Sequence, residues 1–165
     1  MLRVRPFQQS PSMCGPAALK MVLAFFGVQK TERALARLSG ATRAKGVPGK
    51  GLVHAARTLG LRARIKDRCS FADLHHYVTH RKIPVIVDWF LENDGHYAVV
   101  VALTRTHITL QDPAIGRRRT MDLVTFKRVW FDFEGPHLRK PKDIILRRMI
   151  VVVDPLTLAL YNSEC

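Results

Sequence analysis

A chain of 165 residues, 47% of them hydrophobic, carries enough apolar matter for one self-sufficient core and too little length for two full domains. Lys and Arg number 27 against 13 Asp and Glu, a net charge of +14 with His neutral, which suits nucleic acid, an acidic peptide, anionic lipid or simply a soluble basic surface. No zinc-finger, RNP or helix-turn-helix pattern accompanies the charge, so nucleic acid is not expected as a partner. No run reaches the roughly 20 apolar residues that cross a bilayer, and the start, Met1 to Pro6, lacks the apolar core of a signal peptide; the expected location is the cytoplasm.

The first stretch that carries chemistry is Gln8 to Leu19. Cys14 stands just ahead of Gly15 and Pro16, where a long apolar run begins. A thiol at a helix N-terminus meets unpaired amides and the positive end of the helix dipole, both of which favour the thiolate. Gln8, six residues upstream, is a neutral donor able to reach back across the turn; Gln9 is the alternative. The other cysteines, Cys69 and Cys165, read as small hydrophobes. With no Cys-x-x-Cys pair, neither a metal site nor a disulfide framework is expected, and no cofactor is implied.

Ala17 to Phe26 is apolar on nearly every side, the pattern of a helix buried all round, and Gly27 stops it. Thr31 caps a short helix carrying Leu35 and Leu38. After the Gly/Pro-rich stretch Gly46 to Gly51, a third helix shows Leu52, Ala55, Ala56 and Leu59 at helical spacing. Leu61, Ala63 and Ile65 alternate with Arg62, Arg64 and Lys66, a strand with one wet face. Ser70 and Asp73 form a capping box for a fourth helix to about His80; His75 and His76 on it read as surface residues.

Pro84 to Phe90 and Tyr97 to Leu103 are continuous apolar runs, and His107 to Gln111 alternates, which predicts three neighbouring strands. Asp122 caps a helix through Trp130, and Ile144 to Val153 reads as one last strand. Arg117-Arg118-Arg119 reads as basic surface. Helices come first and antiparallel strands second, an α+β architecture, with one domain over residues 1–153 and a tail over 154–165.

Two polar residues of the second half lack a packing explanation. His96 opens the strand that follows the turn Asn93-Asp94-Gly95, and Asp112 closes the neighbouring one. If the two pair as a hairpin through Arg105, that start and that end lie side by side, so His96 and Asp112 face each other as a base and its orienter. Asp94 reads as turn chemistry.

Gln8, the helix start Cys14-Gly15-Pro16-Ala17-Ala18, the strand start Gly95-His96-Tyr97 and the strand end Asp112-Pro113-Ala114 together resemble the motifs of the C39 cysteine peptidases, over roughly Arg5 to Val153. The resemblance implies a papain-like fold in which Cys14 is the nucleophile, His96 the general base and then acid, and Asp112 the group that fixes the imidazole tautomer. Gln8 would share the oxyanion hole with the Cys14 backbone N–H. It also implies a substrate class, the leader peptides of secreted peptide precursors, cut after a double-glycine motif, and a partner, an ABC exporter. Met13 departs from the acidic residue that exporter-linked members often carry before the nucleophile, and no transmembrane or ATPase region follows, so a stand-alone enzyme and an excised domain are both open. The alternatives are a papain-like peptidase or acyltransferase with a different substrate and a peptide-binding module; retention of Cys14 argues against the last.

Overall fold

The computed structural model describes residues 1–156. Cys165 and most of the expected tail lie outside the described residues. Eight strands and five α-helices build the described part. In chain order these are α1 (Cys14–Phe25), α2 (Glu32–Ser39), α3 (Gly49–Thr58), β1 (Arg62–Lys66), α4 (Phe71–His75), β2 (Val85–Leu91), β3 (Asp94–Leu103), β4 (His107–Asp112), β5 (Arg117–Asp122), α5 (Leu123–Val129), β6 (Phe131–Phe133), β7 (Ile144–Leu146) and β8 (Arg148–Val153). Six strands form one antiparallel sheet in the order β1-β8-β2-β3-β4-β5, and β6 pairs with β7 beside it. The architecture is α+β.

The continuous apolar runs of β2, β3 and β8 follow from being covered on both faces. Ile86, Tyr97, Val99, Val101, Ile150 and Val152 pack under α1, α2 and α3. Their neighbours Val87, Ala98, Val100, Met149 and Val151 turn to the other face, where Leu74, Val78, Phe126 and Trp130 cover them. The alternation of β1 also holds: Ala63 is buried while Arg62, Arg64 and Lys66 are exposed.

Local capping explains most of the ends. The Thr31 hydroxyl accepts from the Ala34 N–H at 3.1 Å, Ser70 and Asp73 complete a capping box, and Asp122 accepts from Thr125 N–H at 2.8 Å. The fourth helix is not uniform to His80, however. It passes into a π-helical turn over His76–His80, and the wider turn sets the His75 and His80 rings edge to face at 4.8 Å.

Three features depart from the sequence expectation. The apolar run from Ile144 is two strands, because Arg147 takes φ 48° and bonds Trp130 O instead of a ladder partner; β7 stays with β6 while β8 inserts between β1 and β2. β5, with no apolar alternation, forms as an edge strand because β4 supplies its partner groups. Finally, β1 comes from the helical half of the chain yet pairs with β8, at the far end.

Two glycines and the N-terminal segment bring the layers together around the start of α1. A Cβ on Gly15 would run into Val47, with Leu52 and Tyr97 each 3.3 Å away, so only glycine lets α1 lie this close to β3 and α3. A Cβ on Gly51 would overlap the Ser39 carbonyl oxygen and crowd Val47, which fixes α3 against the end of α2. Ahead of α1 the chain is laced onto the β3–β4 hairpin: Leu2 N–H donates to Val101 O at 2.8 Å, at the register shift between Val100 and Ala102, and Gln111 Nε2 donates to Val4 O at 2.7 Å. Gln9 N–H then donates to Pro113 O at 2.9 Å. Substituting Gly51→Ala is expected to lower unfolding stability by about 1–3 kcal/mol through overpacking against backbone, read from the midpoint of urea denaturation; an unchanged midpoint would contradict the close approach of α3 to α2.

Candidate active site

The first residue of α1, the start of β3 and the end of β4 converge at one end of the sheet. Cys14 opens α1 and is partly buried. His96 is the third residue of β3. The turn ahead of it is Glu92–Asn93, tighter than the expected Asn93-Asp94-Gly95, because Asp94 and Gly95 already pair with Leu91 and Phe90 of β2. Asp94 Oδ1 accepts from Gly95 N–H at 2.8 Å. Gly95 has no room for a side chain, since a Cβ there would overlap the Asp132 carboxyl. Asp132 lies on β6, and Phe131 and Phe133 on either side of it stack on Phe90 with centroids 5.1 and 5.4 Å away. The small second sheet therefore holds down the start of β3 that presents His96.

The register Val99↔Gln111, carried one step further, sets Asp112 beside Ala98, two residues along from His96 on the same face. The two meet diagonally: His96 Nε2 and Asp112 Oδ1 are 2.7 Å apart, and both residues are buried. With Nε2 engaged by Asp112, Nδ1 is the ring nitrogen left over, and the Cys14 thiol is close enough to help raise the pKa of the imidazole. Asp112 Oδ1 also accepts from Ala114 N–H at 2.9 Å, and its Oδ2 accepts from Arg119 Nε at 2.6 Å.

The electrostatics follow from these contacts. Burial disfavours the charged imidazole, but the hydrogen bonds to Asp112 and Cys14, with their charges, outweigh it and raise the His96 pKa to about 9. Burial also penalises the Asp112 carboxylate. The hydrogen bond and charge of His96, then Arg119 and Ala114, hold it below the ordinary carboxylate range nonetheless. Cys69 differs: its side chain is fully buried and donates to Lys66 O at 3.2 Å, and burial, with Asp73 nearby, pushes its thiol up to about 11 against the smaller lowering by Lys66 and Met149.

Of the four residues singled out from the sequence, Cys14, His96 and Asp112 are brought together. Gln8 is exposed, and its stem lies against Gly116, in the turn after Asp112; Gln9, next to it, buries an Oε1 that has no hydrogen-bond partner among the described residues. His75 and His76 are exposed on the opposite layer. Arg119 and Trp89 escaped the sequence reading. Trp89 pairs with His96 across β2 and β3, its ring edge to face with the imidazole at 5.8 Å. Arg119 was hidden in a run of three arginines; the one available signal was its period-two spacing from Arg117, the residue opposite Asp112.

Residues 5–133 match the Peptidase C39 family. The chain belongs to that family. Among curated proteins, it is 37% identical over 119 residues to an uncharacterized protein of Methanothermobacter thermautotrophicus, covering 72% of each chain. Among solved structures, the peptidase domain of Streptococcus ComA, a bifunctional ABC transporter of a quorum-sensing pathway, superposes with a TM-score of 0.70 at 20% identity, over 92% of this chain and 98% of that one. A double-glycine motif protease from an AMS/PCAT transporter, in complex with its leader peptide, superposes with a TM-score of 0.63 at 21% identity, over 91% and 94%. At those identities the likeness is one of fold. Among the described residues no helix is long and apolar enough to cross a membrane.

The His96 ring holds its proton more tightly in the folded chain, at about 9, than at its ordinary 6.5. Its contribution to stability is therefore fully present below about pH 6.5 and is lost as pH rises through about 9. Proton NMR of the imidazole is expected to show titration near 9, moving down toward the ordinary value in Asp112→Asn; a wild-type ring titrating near 6.5 would contradict the buried pair.

Proposed function

We propose that this chain is a cysteine endopeptidase that removes leader peptides from secreted peptide precursors after a double-glycine-type motif. The observation that carries the reading is the buried His96–Asp112 pair, with Nε2 and Oδ1 2.7 Å apart, next to a thiol at a helix start that helps raise the imidazole pKa. Membership of the C39 family supports the reaction class. The leader-bound double-glycine protease among the structural neighbours supports the substrate class.

In this reading the Cys14 thiolate and the His96 imidazolium form the resting pair. The sulfur attacks the carbonyl carbon that precedes the scissile bond, and the oxyanion takes hydrogen bonds from the Cys14 N–H and the Gln8 side-chain amide. His96 then passes its proton to the departing amine, which leaves a thioester on Cys14. A water molecule, deprotonated by His96, attacks the thioester; the thiolate departs and the ring keeps the proton, restoring the pair. Asp112 keeps Nε2 engaged throughout, so that Nδ1 always faces the sulfur. A ring that retains its proton to about pH 9 remains able to protonate the leaving amine well above neutrality.

The net charge of +14 favours the approach of an acidic leader. The partner in this reading is an ABC exporter that carries the processed peptide.

Mass spectrometry of precursor peptides incubated with the enzyme is expected to show a single cut after Gly-Gly in leader-bearing peptides and none in leaderless ones. Cys14→Ala and His96→Ala are expected to lower kcat by at least about a thousandfold while the fold survives, whereas His75→Ala and His76→Ala stay near wild type; loss of activity in either surface variant would move the site elsewhere. Iodoacetamide, followed by peptide mapping, is expected to modify Cys14 far faster than the buried Cys69 at pH 7. Equal, slow labelling of the two would overturn the activated thiol. For an acidic leader, kcat/KM should fall as salt is raised; a flat response would remove the electrostatic part of the reading.

A further inference from the structure

Four side chains on one face of the sheet close a ring around the imidazole. Trp89 on β2 pairs with His96 on β3, Asp112 on β4 is diagonal to His96, and Arg119 on β5 is two residues from Arg117, the residue opposite Asp112. The ring closes because the Arg119 guanidinium reaches back over Trp89, 5.8 Å from its ring. The same group donates from Nε to Asp112 Oδ2 at 2.6 Å.

We propose that Arg119 is a positioning residue of the peptidase, acting on His96 through both of its supports, the Asp112 carboxylate and the Trp89 ring. The inference rests on the catalytic reading of Cys14, His96 and Asp112. The Asp112 carboxylate takes three donors: His96 and Ala114 on Oδ1 and Arg119 on Oδ2. With its side chain shut off from solvent, removal of the guanidinium would leave Oδ2 a buried acceptor without a donor. The carboxyl would then gain by rotating or by taking up a proton, and either change loosens its hold on Nε2. Trp89 meets the His96 ring at an interplanar angle of 71°, and the guanidinium lying on the indole holds that edge-to-face wall in place. Of the three consecutive arginines, Arg117 and Arg118 are exposed and only Arg119 is partly buried, so the run contains one inward residue with a role of its own.

The test compares Arg119→Ala, Arg119→Lys and Arg118→Ala with wild type in alkylation of Cys14 by iodoacetamide and in kcat and KM on any peptide the wild type cleaves. Thermal unfolding shows which variants are folded. Groups that orient a catalytic ligand are commonly worth about 10–100-fold. Arg119→Ala is therefore expected to lower both Cys14 alkylation and kcat by about that factor, with KM within about twofold, while Arg118→Ala leaves all three unchanged. Lys supplies a charged donor without the planar fork of a guanidinium, so Arg119→Lys is expected to recover part of the loss. In an Asp112→Asn background the further effect of Arg119→Ala should shrink to about threefold or less, because residues that act through one another are not additive. If Arg119→Ala does not fold, the partial loss in Arg119→Lys and its shrinkage beside Asp112→Asn carry the test.

A rise in KM at constant kcat, wild-type alkylation in Arg119→Ala, or a full loss repeated on top of Asp112→Asn would overturn the proposal. Slow alkylation of Cys14 in the wild type would instead overturn the peptidase reading on which it rests.

Discussion

Contact between the first turn of α1 and β3 governs the rest of this molecule. A thiol on one layer and an imidazole on another come within hydrogen-bonding reach only if helix and sheet approach more closely than two ordinary side chains permit. Gly15 supplies that approach by having no Cβ to meet Val47 and Tyr97. The helix behind it is buried along most of its length, from Gly15 to Leu19 and again from Met21 to Leu23. Interiors packed at crystal-like density transmit small displacements instead of absorbing them. The position of Cys14 is thus set by the whole helix and not by its own neighbours in sequence, and the N-terminal segment bonded to Val101, Gln111 and Pro113 fixes the approach from the other side.

Two buried carboxyls show how surroundings decide ionisation. Asp88 on β2 and Asp112 on β4 are each only 1% exposed. Burial pushes the Asp88 carboxyl well up, and the nearby charge of Asp132 adds to the push more than Arg148 relieves it. Asp112 feels burial too, but an imidazole, a guanidinium and a backbone amide converge on it and keep it charged. A buried charge is tolerated where its oxygens are paired and is otherwise neutralised by a proton. The carboxyl at the proposed catalytic centre is the one with the pairing.

The net charge of +14 does not belong to one surface with one purpose. Arg57 is turned onto the Ala63 carbonyl at 3.0 and 2.7 Å, joining α3 to β1. Arg148 holds Asp67 with two nitrogens at 2.7 and 2.9 Å at the start of β8, and Arg119 holds Asp112. These guanidiniums work as planar hydrogen-bond donors to oxygens that range from buried at Asp112 to exposed at Asp67. Exposed basic side chains such as Arg117 add to the positive field of the surface.

Much of this was legible along the chain because the forces concerned are local. The apolar spacing of α1 to α3, the caps at Thr31, Ser70 and Asp122 and the apolar runs of β2 and β3 each depend on residues a few positions apart, as do the turn before His96 and the helix start after Cys14. What stayed hidden depends on partners far away in sequence. β5 has no pattern of its own and exists because β4 offers a ladder; the break at Arg147 shows only as a backbone angle; Asp132 reaches Gly95, and Arg119 reaches both Asp112 and Trp89, through strand pairings that no short window contains. Composition and periodicity determined which residues lie inside and where elements begin. Register across strands and the depth to which helix and sheet interpenetrate, both set by long-range packing, decided which of those residues meet.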